Sequence, residues 1–357
     1  MLTSTAAAQK TLSRTIPSSA PVPAPAKQTF ELQRFAMHGC AVGVSSAVQA
    51  LAPQIEHVFG DFRVKQWPPR VVPVTGTIWP YEQSHVLKHL SPGARRVATH
   101  CEMLELYEDE ERFWLVDDRW GIAEINLLKG QWRSWVLPKP AIDSTRVAEM
   151  AILWPMAQLL RARGVYLLPA ASVAFAGRAF LLISPLGIEP ELTTLIRGGY
   201  RIIGQSWTAL REQDGRVELL NFPGQVERPI PPGMRLAGGE ASPTWIDLMR
   251  EFAGTEQHQG WCDAVLIATF GRRASASALP LDRAAAGQVL RASWPIFELH
   301  PSRRHGQLPA RLAQKVPCYQ LTLSREPRDL LGILATLPTP LRESVPRPQP
   351  SSLRAAG

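Results

Sequence analysis

The sequence predicts a mixed α/β protein in which a smaller hairpin-rich N-terminal domain precedes a mixed sheet packed with helices. Three observations carry this. Between residues 104 and 137, short apolar-alternating runs (LELY, RFWLVD, WGIAEINLL, QWRSWVLP) are separated by acidic and Lys-Gly turns, the signature of hairpins. From Leu160 to Trp207 the pattern changes to strand, loop, helix, strand. Beyond residue 240, segments with helical periodicity alternate with the apolar runs DAVLIATFG and VPCYQLTLS.

The chain has 357 residues, room for two domains and tails. Residues 1–28 hold Ala, Ser, Thr and Pro without an acid and read as a disordered tail. The expected organisation is an N-terminal β-rich domain over 29–142, a second domain over 143–338 and a Pro-rich disordered tail over 339–357. No apolar run is long enough to span a bilayer, so no membrane association is expected. The four cysteines show no C-x-x-C spacing and read as reduced thiols in a cytoplasmic protein. Net charge is +8, but the arginines are dispersed and form no basic helix, so no nucleic-acid partner is expected.

Taking the chain in order, ALAPQIEHVFGDF is a helix or strand bounded by Gly60, and YEQSHVLKHL gives a helical turn or two. His85 and His89 stand at i, i+4, the spacing of a metal pair, yet no Glu follows His85 and only His100 and Cys101 offer further ligands. No metal is expected there. Trp114, Trp120, Trp132 and Trp135 fall on the predicted strands, where core packing accounts for them. Asp143 or Ser144 caps a helix running to Gly164, with a kink or a true start at Pro155. This helix is expected to open the second domain.

The central stretch then reads as one apolar strand VYLLPAASVAF, a Gly177 turn and a second strand AFLLIS. After these come a loop from Ser184 to Ile188, a helix from about Glu189 to Arg197, and a strand Tyr200–Ile203. Strand, loop and helix start in this order form the arrangement in which backbone N–H groups cradle phosphate. A hairpin with an Asp214-Gly215 turn follows. Then come a Pro/Gly-rich loop over 221–239, a helix SPTWIDLMREF capped by Ser242, a strand, a helix DRAAAGQVLRASW, a basic patch Arg303-Arg304-His305, the strand VPCYQLTLS and a last helix PRDLLGILATL.

This order of elements resembles the HPr kinase/phosphorylase family, whose catalytic domain has the phosphoenolpyruvate-carboxykinase type of P-loop fold. The resemblance rests on LLRARG (159–164), LPAASVAF (168–175), GRAFLLIS (177–184), GGYRIIGQSW (198–207) and KVPCYQLTL (315–323), and covers roughly 145–340. It implies ATP and Mg²⁺ as cofactors of an active member and a protein or peptide serine as acceptor. The residues depart from that implication. The nucleotide loop becomes Ser184-Pro185-Leu186-Gly187-Ile188-Glu189-Pro190-Glu191, in which only Pro185 and Gly187 match and the lysine position falls near Pro190. No lysine occurs between Lys139 and Lys315. The acidic pair that serves metal and acceptor becomes Gln205-Ser206, and the histidine of the family's Leu-His-Ala run becomes Pro169.

Three readings follow. In the first, the protein is a pseudokinase with no cofactor, and its loop 221–239 and second-domain cleft bind a peptide or protein. In the second, it is a serine kinase with a rebuilt site, using ATP and Mg²⁺. There Arg178, Arg197 and Arg201 flank the loop, and Glu189, Glu191 or Asp214 supply metal carboxylates. The residual nucleotide region is then Ser184, Pro185, Gly187, Arg197 and Arg201. In the third, Gly204-Gln205-Ser206-Trp207-Thr208 is a worn nucleophile elbow of a serine hydrolase, with His258, His300 or His305 as base.

Overall fold

The computed structural model describes residues 31–81, 90–91, 93–100, 104–109, 112–140, 142–184, 188–222, 224–228, 244–270, 276–292, 308–324 and 328–338. Its first layer is an eight-stranded sheet. The strands are β1 (Gln33–Met37), β2 (Cys40–Ser46), β3 (Val74–Pro80), β4 (Arg95–His100), β5 (Leu104–Glu108), β6 (Arg112–Asp117), β7 (Gly121–Asn126) and β8 (Gln131–Val136). Their spatial order is β1-β2-β3-β8-β7-β6-β5-β4. The expected hairpins are there, but β2–β3 and β3–β8 are parallel. The first follows from helix α1 (Ala52–Phe59), which carries the chain back across the sheet so that β3 starts at the same end as β2. Pro53 in the first turn starts α1 where its missing N–H costs nothing.

Trp114, Trp120 and Trp132 are fully buried, as core packing requires. The Trp132 ring occupies the space a side chain at position 76 would need, so Gly76 on β3 lets it lie flat against the strand. Trp132 Nε1 donates to the Ala151 carbonyl at 3.2 Å, and Ser134 Oγ donates to the same oxygen at 2.6 Å.

That carbonyl is free because the long helix is interrupted. Asp143 caps α2 (Ser144–Ala148), accepting from the Thr145 and Arg146 amides at 3.0 Å. A π-helical turn over Glu149–Leu153 follows, then α3 (Trp154–Arg161). Pro155 cannot donate into the ladder, and the wide turn just before it absorbs the gap without ending the helix. Met156, Ala157, Leu159 and Leu160 face the first sheet, in one core with Phe35, Phe59 and Ile125. The helix expected to open the second domain thus packs on the first sheet, and Leu167 of β9, with Trp207 just before β13 and Phe222 just after β14, joins the same core.

The second sheet contains β9 (Val165–Leu168), β10 (Ala171–Phe175), β11 (Arg178–Ile183), β12 (Arg201–Gly204), β13 (Thr208–Gln213), β14 (Arg216–Leu220), β17 (Gln259–Phe270), β18 (Ser277–Leu281) and β19 (Cys318–Leu323). A separate short pair is formed by β15 (Val226–Arg228) and β16 (Thr244–Ile246). The run read as one strand, VYLLPAASVAF, is two. Pro169 has no N–H for the ladder, and beyond it the chain changes neighbours, β9 pairing β13 and β10 pairing β11 and β12. The twelve-residue β17 joins the two halves of the sheet. Its start pairs antiparallel with β14, and its remainder runs parallel to β11 on one side and β19 on the other.

One face of this sheet packs on α4 (Glu189–Arg197) and α8 (Asp329–Thr336), with Leu192, Leu195, Leu330 and Leu334 in the core. The opposite face packs on α6 (Arg283–Ala292) and α7 (Leu308–Lys315), with Ala286, Leu290, Leu312 and Val316. The whole is a mixed α/β fold with two mixed sheets. Between β16 and the next strand, the helix expected from Ser242 is reduced to the single turn α5 (Leu248–Glu251), capped by Asp247; Thr244–Ile246 ahead of it are strand and Ser242 lies outside the described residues. Helix α7 was not legible, its proline Pro309 masking a run that begins at Leu308. Among the described residues no helix is long and apolar enough to cross a membrane.

Candidate functional site

Strands β11, β17 and β19 are mutually parallel, so their carboxyl ends open on one edge, where open α/β sheets place ligands. Ile183 pairs with Ile267, which sets Ser184 beside the last turns of β17. Pro185 and Gly187 lie outside the described residues, and Ser184 is half-buried. The chain is next described at Ile188, which occupies the N-cap of α4 and offers no side-chain cap.

The first turn of α4 carries its own anions. Glu189 and Glu191 are 9 % and 4 % exposed. Thr193 Oγ1 donates to Glu189 Oε1 at 3.2 Å, and the Glu191 carboxyl accepts from its own backbone N–H. Burial pushes the Glu191 carboxyl above the usual range; its own amide opposes this, and the Glu189 charge reinforces it. Glu191 Oε2 has no hydrogen-bond partner among the described residues. A helix N-terminus that would attract phosphate is therefore already faced by carboxylates. A further anion about 4 Å from one of them meets a repulsion on the order of 4 kcal/mol in a partly solvated site.

Arg197 and Arg201 do not flank this loop. Arg197 lies in the last turn of α4, about 12 Å along the axis from Glu189. Arg201 pairs with Ala174 near the β10–β11 turn, at the opposite end of the sheet from Ser184. Arg178 begins β11 at that same end and donates to the Pro338 carbonyl at 3.3 Å. Asp214 sits in the β13–β14 turn with φ 51°, serving the Asp-Gly hairpin. The structure thus gathers Ser184, Glu189 and Glu191, and leaves the arginines elsewhere.

The positions aligned with the acidic pair are engaged in internal bonds. Gln205 is fully buried; its Nε2 donates to Asp247 Oδ1 at 2.8 Å and to the Gly224 carbonyl, and its Oε1 accepts from the Leu248 amide at 2.7 Å. Asp247 also accepts from the Met249 amide at 3.1 Å, lies 3.3 Å from Arg250 Nε and faces His57 Nδ1 of α1 at 3.7 Å. Trp207 Nε1 donates to Glu149 Oε1 at 3.3 Å, and Arg146 holds the other oxygen at 2.7 Å. Segment Gly204–Thr208 is therefore a polar knot tying α1, the long helix and α5 to the second sheet. Gly204 fits there because a side chain would collide with the Trp207 carbonyl. Pro169 stands at the β9–β10 switch, and beside it Ser172 and Thr208 bond at 2.9 Å.

Ser206 Oγ is buried against Gly224 with no partner among the described residues. The segment continues into β13 instead of the helix a nucleophile elbow needs. His258 is exposed, its carbonyl accepting from the Asn221 amide at 2.8 Å, and His300 and His305 lie outside the described residues. His85, His89 and Cys101 are also outside them, as is the side chain of His100. Among the described residues no group of three His, Cys, Asp or Glu is placed to hold a metal.

The residues that sequence reasoning missed are His57, Glu149, Asp247 and Gln205 in its structural role. Each sits in an ordinary amphipathic or strand context, and only the packing of distant segments makes them partners.

No family model and no curated protein matches the chain. Among solved structures it is similar to the Hpr(Ser) kinase/phosphatase from Coxiella burnetii, at 11% identity and a TM-score of 0.28, covering 48% of this chain and 87% of that one.

Proposed function

We propose that the chain is an HPr-kinase-like pseudokinase: a protein that binds a peptide or protein partner and does not transfer phosphate. One observation carries the reading. The first turn of α4, where a phosphate would be drawn to free N–H groups, holds two buried carboxylates of the chain itself. Phosphoryl transfer asks a protein mainly for positioning and electrostatic stabilisation. Here the charge at the helix start has the wrong sign, and the amide of Gln205 stands where a metal-binding acid is expected. The partner site on this reading includes the segment around Gly224, which the Gln205 knot fixes against α5.

The test is phosphate transfer from γ-labelled ATP with Mg²⁺, using the full chain and a serine peptide as acceptor. No label on either is expected. Labelled peptide would establish the active-kinase reading instead.

A further inference from the structure

The end of α3 presents an unusual group. Arg161 is 4 % exposed, and its Nη1 is buried without an acceptor among the described residues. No ion pair or hydrogen bond of its guanidinium occurs among them. Burial pushes its pKa down, but a guanidinium cannot shed its proton in a protein as a buried lysine or histidine can. A buried cation with no counter-charge among the described residues calls for an anion.

Three residues earlier, and so on the same side of the helix, Gln158 is 3 % exposed and its Nε2 also lacks an acceptor. Helix periodicity places both on the side away from Met156, Ala157 and Leu160, which pack on the first sheet. Tyr166, half-buried on the adjacent β9, lies within electrostatic reach of Arg161 and of Arg311 on α7. The acid that could have served, Glu212, is already taken by Arg311 at 3.1 Å and by Lys315. Among the described residues the local inventory is therefore a guanidinium, an amide N–H₂ and a phenol, with no free carboxylate. A buried water could serve the amide but would leave the charge uncompensated.

We propose that Gln158, Arg161 and Tyr166 bind a small oxyanion, the carboxylate or phosphate group of a ligand, between the end of α3 and edge strand β9. Guanidinium with neighbouring N–H and O–H donors matches such a group in charge and geometry. The site is independent of the reading above, since it uses neither the first turn of α4 nor the Gln205 knot.

The experiment titrates the full chain, at constant ionic strength in chloride, with inorganic phosphate and separately with acetate, following the thermal unfolding midpoint and the heat of binding. A saturable rise with at least one of them is expected, and which one responds identifies the source as phosphate or carboxylate. Arg161→Met is expected to weaken binding at least tenfold, while Arg163→Met, at an exposed position two residues on, titrates as the parent does. If Arg161→Met does not fold, Tyr166→Phe and Gln158→Leu serve, each expected to weaken binding several-fold. No response to either anion in the parent protein, or an unchanged affinity in Arg161→Met or in both substitute variants, would overturn the proposal.

Discussion

Two places in the second sheet, the segment Gly204–Thr208 and the start of α4, hold buried polar groups in opposite ways. At Gly204–Thr208 the amide of Gln205 makes three internal bonds and the Trp207 indole N–H bonds Glu149. At the start of α4 the charge is negative, with Glu189 and Glu191 buried and one oxygen of Glu191 without a partner among the described residues. The first arrangement should stabilise the fold, and the second should cost it. Buried polar groups can thus be satisfied internally or left facing like charge, and mutation tells the two apart.

Gln205→Ala should have the largest effect. It strips buried partners from Asp247, Gly224 and the Leu248 amide at once, a loss of about 3 kcal/mol, read as a lower midpoint in urea unfolding with an unchanged slope. If the cost falls below about 1 kcal/mol, the knot is not what ties α5 to the sheet.

Glu191→Gln should move the other way. Because the folded carboxyl titrates above the usual range, its stabilising contribution is complete below about pH 4.5 and is lost as pH rises through the folded value. The variant should therefore equal the parent at acid pH and exceed it at pH 7 by on the order of 1 kcal/mol. Parallel stability–pH curves for the two proteins would show the side chain to be solvated.

On the knot side the sign is opposite. His38, in the β1–β2 turn, donates from Nε2 to the Asn221 carbonyl at 2.6 Å, and burial pulls its pKa down. The neutral ring is the folded form, so its contribution is whole above about pH 6.5 and fades as pH falls below that. His38→Gln should flatten the stability profile in this window. A profile that keeps its slope would assign the loss to another group.

The smallest effect belongs to the arginines. Arg197→Ala and Arg201→Ala, exposed and distant from Ser184, should change stability by less than about 0.5 kcal/mol and leave any nucleotide response unaltered. A clear loss of nucleotide binding in either would restore them to the site.

The periodic parts of the fold were legible. Helix α4 spans the predicted Glu189–Arg197, the Asp214-Gly215 turn joins β13 to β14, and Asp143 caps the long helix. Local chemistry decides these: a capping side chain, positive-φ turn residues, one apolar stripe. Where several segments compete, the sequence was silent. Pro169 looked like a residue within one strand, yet its missing N–H divides two strands with different neighbours. The parallel pairing of β3 with β8 depends on contacts across more than fifty residues, for which no local signal exists. The placement of Arg197 and Arg201 failed for a related reason. Sequence proximity to the loop put them beside it, whereas a helix of nine residues carries its last turn to the far end of the sheet. The role of Gln205 was hidden because its partners, Gly224 and Asp247, lie 19 and 42 residues away.

The sign of the charge at the start of α4 is tested most directly by calorimetric titration of the full chain with ATP, with and without Mg²⁺. No measurable heat of binding is predicted in either condition. Micromolar affinity, strengthened by Mg²⁺, would mean that the carboxylates of Glu189 and Glu191 hold the metal instead of repelling the phosphates, and would contradict the account.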